Sequence, residues 1–189
     1  METWNYIKSD LVRYAGKYSL PLFVKHYIRN RSFKYSFWLR STRHTNPMIR
    51  LISIVMHKRL ANKYLIQIPR QTQIGYGLYL GHHMCIVISP SARIGNNVNL
   101  SQFTTIGSNY GHAADIGDNV YIGPNVNIIE HVVIGNNSTI GAGSVVTRDV
   151  PENATVAGVP AKVISYKEPG RFVHQRWTLS DNNQKQRTQ

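Results

Sequence analysis

Three histidines stand where the chain departs from its own pattern. His82 and His83 interrupt the apolar run LYLGHHMCIVI (residues 78–88), and His112 follows Gly111 in SNYGHAAD (residues 108–115). An imidazole titrates near 6.5, so at neutral pH it is mostly unprotonated and can take a proton from a hydroxyl. The same ring is a common zinc ligand. The three residues therefore admit general-base catalysis, metal ligation or, more simply, solvated turn positions, and only the elements that carry them can decide.

Those elements repeat every six residues. Large aliphatics stand at Ile68, Ile74 and Leu80, then at Ile88, Ile94, Leu100 and Ile106, then at Ile116, Ile122, Ile128, Ile134, Ile140 and Val146. A second set lies two residues before each, including Ala92, Val98, Thr104, Val120, Val126, Val132, Ser138 and Ser144. Two inward positions two apart make a very short strand with one buried face. Gly-Asn-Asn, Gly-Asp-Asn, Gly-Pro-Asn and Gly-Ala-Gly follow the aliphatics, and these residues tolerate turns and positive φ. Neither a helix nor a long strand has this period. Three such units per turn give a triangular coil, a parallel β-helix of hexapeptides. The period breaks twice, between Leu80 and Ile88 and between Ile106 and Ile116. Extra residues in a solenoid must leave the wall at a corner, and these two corners carry His82, His83 and His112. Counted in threes, the breaks fall at different corners of the triangle. Within one subunit the histidines should stand apart, and in a trimer one subunit's His82 corner could meet its neighbour's loop.

The 189 residues carry a net charge of +13, unevenly placed. Residues 1–70 hold 14 Lys/Arg and 2 Asp/Glu, whereas the remainder is nearly neutral. The spacing predicts amphipathic helices over LPLFVKHYIRNRSFKYSFWLR and MIRLISIVMHKRL, with a basic solvated face or a peripheral contact with anionic lipid. No recognised nucleic-acid-binding module is visible. The organisation expected is a basic α-helical segment over 1–66, the β-helix over 67–165 and a tail over 166–189, its end LSDNNQKQRTQ disordered. A single cysteine, Cys85, excludes an internal disulfide framework. With no signal-peptide pattern and no apolar run long enough to span a bilayer, a cytoplasmic protein is expected.

Residues 116–164, IGDNVYIGPNVNIIEHVVIGNNSTIGAGSVVTRDVPENATVAGVPAKVI, resemble the end of hexapeptide-repeat acyltransferases, including galactoside and maltose acetyltransferases. Residues 66–107, and the helical start IKSDLVRYAGKYSL, are more similar to serine acetyltransferases and their relatives from surface-polysaccharide gene clusters. The resemblance implies a left-handed parallel β-helix with an N-terminal α-helical segment, against the usual crossover hand. It implies a homotrimer, sometimes paired into a hexamer, with active sites between subunits. Acetyl-CoA would serve as co-substrate, with no metal.

Residue by residue, the resemblance gives His82 the role of catalytic base. Gly81 stands where serine acetyltransferases have aspartate, so the group that orients His82 is missing; loss of the equivalent group in a serine protease costs about 10⁴ in rate. Asp10, in the helical part, is a candidate for that contact or for substrate. His112 matches a loop histidine that is catalytic in galactoside-type enzymes and touches the acceptor in serine acetyltransferases. Ala142, Thr147, Arg148 and Lys162 match positions that meet the pantetheine arm, nucleotide and phosphates of acetyl-CoA. The activity expected is an O-acetyltransferase acting on a sugar or polysaccharide precursor, because the aspartate and an Arg-His-Pro loop string are both absent. Serine O-acetylation is the alternative. A carbonic anhydrase-like metal site using His82, His83 and His112, or a non-catalytic scaffold, stands further off.

Overall fold

The computed structural model describes residues 2–178, so the expected disorder of LSDNNQKQRTQ lies outside the described residues. The chain begins with four helices, α1 (Thr3–Ala15), α2 (Leu20–Arg29), α3 (Arg31–Ser41) and α4 (Pro47–Tyr64). The stretch from Leu20 to Arg40, read above as one amphipathic helix, is two. Asn30 divides it: its backbone is extended (φ −102°, ψ 107°) and its side chain accepts from the Phe33 amide at 3.0 Å, capping α3. Ser19 and Asn46 cap α2 and α4 in the same way, each followed by proline in the first turn. Apolar side chains remain exposed on α2 (Leu20, Val24, Ile28) and α4 (Met48, Leu51, Ile52, Val55). No described helix is long and apolar enough to cross a membrane.

After α4 the chain winds into a three-sided parallel coil. The first wall stacks Gln73–Ile74, Arg93–Ile94, Asp115–Ile116 and Val133–Ile134. The second stacks Tyr79–Leu80, Asn99–Leu100, Tyr121–Ile122, Thr139–Ile140 and Thr155–Gly158, and the third Val87–Ile88, Thr105–Gly107, Asn127–Ile129 and Val145–Val146. Up to Val145–Val146 every third strand in sequence is a hydrogen-bonded neighbour, in register, so Leu80 lies opposite Leu100 and Leu100 opposite Ile122. The aliphatic columns expected from the six-residue period are buried throughout and form one continuous core. Removing one such side chain, as in Ile122→Ala, costs about 2–5 kcal/mol.

Two features fix the corners. A Cβ built on Gly95 would lie 2.5 Å from Asp118 Oδ1 and 2.6 Å from the Gly117 backbone, so successive coils approach too closely there for any side chain. Between the first and second walls, Asn97, Asn119, Asn137 and Asn153 all have positive φ, a conformation asparagine tolerates. Their side chains form a ladder, each amide donating to the next at 3.1–3.2 Å.

The helices share this core rather than standing apart, for Tyr35, Leu39, Leu60 and Tyr64 belong to it. A buried Asp10–Arg40 pair joins the two regions. Arg40 donates to Asp10 from Nε at 2.9 Å and Nη2 at 3.0 Å, and its other bonds go to the carbonyls of Ile74 and Gly75. Beyond the antiparallel strand Ala161–Ser165, the chain folds back over the second wall. There Asn97 and Trp177 exchange hydrogen bonds at 2.9 and 3.0 Å, and Phe172 packs on Tyr121.

Candidate active site

The two breaks in the repeat flank one wall. His82 lies on the edge between the second and third walls, and the His112 loop lies on the edge between the third and first. The separation into two corners matches the count made from the sequence. It also means that His82, His83 and His112 do not converge on one point within a protomer, so a metal site using all three would have to bridge subunits.

The His82 corner is held from behind. Tyr14 of α1 is partly buried, and its hydroxyl accepts from the Leu80 amide at 2.9 Å and donates toward the Leu80 carbonyl at 3.3 Å. The Gly81 amide donates to the Leu100 carbonyl at 2.8 Å, and the Cys85 amide to the Tyr64 carbonyl at 3.2 Å. Burial raises the Tyr14 phenol far above its ordinary range, so it remains a neutral donor. The ring of His82 itself is exposed and has no hydrogen-bond partner among the described residues of the chain. His83 packs edge-on against Tyr64 with centroids 4.8 Å apart. Burial, then Arg31 and His82, hold its imidazole below the usual 6.5. Cys85 is half-buried at φ 52°, a turn position.

Asp10 does not supply what His82 lacks. Its carboxylate is fully buried and receives Arg40, the Ser36 hydroxyl and the Leu78 amide. Both oxygens are engaged in joining helix to coil, and no bond runs to His82. The substrate or orienting role expected for Asp10 gives way to a structural one.

His112 has the partner that His82 is without. Its Nε2 lies 3.0 Å from Asp115 Oδ1, and His131 Nε2 lies 3.4 Å from Asp115 Oδ2. The loop is anchored from both sides. Glu130 accepts from the Ser108 hydroxyl at 2.6 Å and the Asn109 amide at 3.1 Å, while the Ala113 amide donates to Ser91 Oγ at 3.0 Å. Glu130 does this from φ 61°, a left-handed conformation that costs a non-glycine residue about 1–2 kcal/mol. Among the described residues, His112, Asp115 and His131 bring ligand atoms within 4.8 Å of one another, a donor set able to hold a divalent cation. The two imidazoles already share the Asp115 carboxylate through their Nε2 atoms.

Asp115, Glu130, His131 and Tyr14 were not singled out from the sequence. Two signals were present. Asp115 is charged at an outward wall position three residues after His112, and Glu130 occupies a corner where neighbouring repeats put Asn or Gly.

Three of the four residues matched to acetyl-CoA chemistry divide between the same two edges. Ala142 lies on the His82 edge, exposed, three coils farther along. At roughly 4.8 Å per coil that is about 14 Å. Thr147 and Arg148 are exposed on the His112 edge, and Lys162 is exposed on the last strand. Neither Arg148 nor Lys162 has a carboxylate partner among the described residues.

Residues 113–148 match the family described as "Bacterial transferase hexapeptide (six repeats)". The serine acetyltransferase of Escherichia coli (strain K12) is 31% identical over 155 residues, 79% of this chain and 55% of the relative. A crystal structure of Neisseria gonorrhoeae serine acetyltransferase superposes with a TM-score of 0.73 at 26% identity, covering 94% of this chain and 72% of that one. A serine acetyltransferase in complex with CoA superposes with a TM-score of 0.70 at 25% identity, covering 86% and 69%. The chain spans about half the length of the curated relatives it matches.

Proposed function

From a hexapeptide-repeat solenoid whose homologues include serine acetyltransferases, we propose an acetyl-CoA-dependent O-acetyltransferase. The observation that carries this reading is the pair of edges flanking the third wall. One presents His82 and Ala142, the other His112, Thr147 and Arg148. In a homotrimer the first edge of one protomer would face the second edge of its neighbour. Each seam would then hold an imidazole for the acceptor at one end and small and cationic residues for acetyl-CoA at the other.

In the reaction, His82 takes the proton of the acceptor hydroxyl as its oxygen attacks the thioester carbonyl. The tetrahedral oxyanion collapses, the C–S bond breaks, and the departing thiolate of CoA receives the proton from the imidazolium. Arg148 and Lys162 suit the phosphates of CoA as unpaired surface cations. The His112–Asp115 pair supports a second assignment, in which His112 is the base and His82 a contact to the acceptor. A carboxylate behind an imidazole fixes its tautomer and stabilises its charged form.

For the acceptor, the named relatives favour L-serine over the sugar hydroxyl expected from the sequence. Gly81 before His82 is the feature that keeps the sugar as a second reading. The test is transfer from labelled acetyl-CoA to L-serine and to a panel of sugars and sugar nucleotides, with His82→Ala and His112→Ala alongside. The base should lose about 10²–10⁴ in kcat with the assembly intact. No acetyl-CoA binding and no transfer to any acceptor would reject the enzyme reading.

A further inference from the structure

A basic groove opens beside the His82 corner. Its outer wall is Lys25, His26 and Arg29 of α2 with Arg31 at the start of α3, and its inner wall is Gly81 and His83, the two residues that flank His82. Lys25, Arg29 and Arg31 are exposed, and none has a carboxylate partner among the described residues. Acidic residues are scarce in this region: residues 1–70 contain only Glu2 and Asp10. Asp10 is buried against Arg40.

This arrangement is unfavourable on its own terms. Lys25 and Arg29 are one helical turn apart, a like-charge spacing that weakens an isolated helix. The cations act on the imidazoles of both walls, since Arg31 lowers the pKa of His83 and Lys25 that of His26, each after the larger effect of burial. A dispersed solvated face would relieve this repulsion, but here the cations line one shallow, open depression. An anion placed among them adds an attraction to each cation that offsets their mutual repulsion. A phosphate ester carries about −1.5 to −2 charge and accepts several charge-assisted hydrogen bonds, which suits several cations better than a single carboxylate does. The phosphates of CoA fall elsewhere on the proposed seam, because Ala142 lies three coils from Gly81 and Arg148 and Lys162 lie later still in the chain.

We infer that the groove binds a phosphate or diphosphate ester, which L-serine lacks, so that it serves the second acceptor reading, a phosphate-linked sugar whose hydroxyl it would hold at the adjacent His82. The inference rests on the acetyltransferase reading for the hydroxyl chemistry, but the anion site can be tested without turnover. The shared chemistry is the phosphate ester, whether its carrier is a nucleotide or a lipid.

The experiment titrates the full chain with sodium pyrophosphate by calorimetry, and repeats it with Lys25→Ala/Arg29→Ala and with Arg31→Ala. These side chains are exposed, so folding is checked simply by circular dichroism and size exclusion. Saturable binding is expected, weakened at least tenfold in the double variant, together with a tenfold rise in KM for a phosphate-bearing acceptor and KM for acetyl-CoA within twofold of the parent. Co-sedimentation with phosphatidylglycerol vesicles separates the carriers. Vesicle binding lost in the variants places the phosphate on a lipid, and pyrophosphate binding without vesicle binding places it on a soluble molecule. Absent pyrophosphate binding, or binding unchanged by the substitutions, overturns the inference. So does a rise in KM for acetyl-CoA alone, which would give the groove to CoA. Pyrophosphate binding with no acetyl-CoA binding or transfer would leave the anion site standing while rejecting the acetyltransferase reading.

Discussion

His112 and His131 direct their Nε2 atoms at the two oxygens of one carboxylate, Asp115, at 3.0 and 3.4 Å. The hydrogen bond from His112, opposed by burial and helped by His131, holds the Asp115 carboxyl below its ordinary 3.8. Because the folded form gives up this proton more readily than the unfolded form, the stabilisation is present above about pH 3.8 and is lost as pH falls through the depressed value. Asp115→Asn keeps the shape and removes the charge. Turnover should fall about tenfold, a modest figure because the pair is partly solvated. The acid limb of a plot of Tm against pH should also become less steep. An unaltered rate would remove the pair from the reaction.

Gly81→Asp should be accepted by the fold, since a Cβ there meets nothing closer than the Leu100 carbonyl at 3.7 Å. The substitution places a carboxylate immediately before His82, as the resemblance to serine acetyltransferases expects. With His82 as the base, kcat for L-serine should rise on the order of tenfold, a fraction of what an orienting aspartate contributes in a protease triad. A folded variant with no gain would favour His112 as the base.

Glu130→Gly removes the backbone strain at φ 61° and, with it, the side chain that holds Ser108 and Asn109. Tm should stay level or rise slightly, while KM for the acceptor increases several-fold as the His112 loop loses its anchor. Glu130→Gln should lie between the two. Equal KM values in all three proteins would separate the loop from acceptor binding.

Asp10→Ala strands the Arg40 guanidinium in the interior. Urea denaturation should show a loss of about 3–5 kcal/mol. Asp10→Ala combined with Arg40→Met should recover part of it, since a buried pair replaced as a unit leaves no unpaired charge. For the molecules that remain folded, kcat/KM should match the parent. A selective loss of kcat/KM would return Asp10 to the active site.

The six-residue period made the solenoid legible because each inward column needs only side-chain size and spacing, both of which are written in the residues. The two irregular corners were legible for the same reason: Leu80 to Ile88 and Ile106 to Ile116 simply fail to fit the count. Asn30 was harder. It interrupts a pattern that continues as apolar on both sides, so periodicity ran through it while its capping side chain bent the chain. Asp10 was misleading because an aspartate near a candidate base invites a catalytic role, and nothing local signals that Arg40, thirty residues on, consumes it. Asp115 and His131 escaped notice because they meet only when consecutive coils stack. That contact depends on three-dimensional winding rather than on neighbours in sequence.

The exchange of hydrogen bonds between Asn97 and Trp177 joins residues eighty positions apart. A stack of coils ordinarily peels from its free end, each turn leaving without disturbing those before it. Here the residues past the last turn are latched to an early one, so the stack is closed into a loop of mutual dependence. Loss of the distal turns must first release that latch, and limited proteolysis near Tyr166 should therefore loosen the asparagine edge as well as the end where the cut is made.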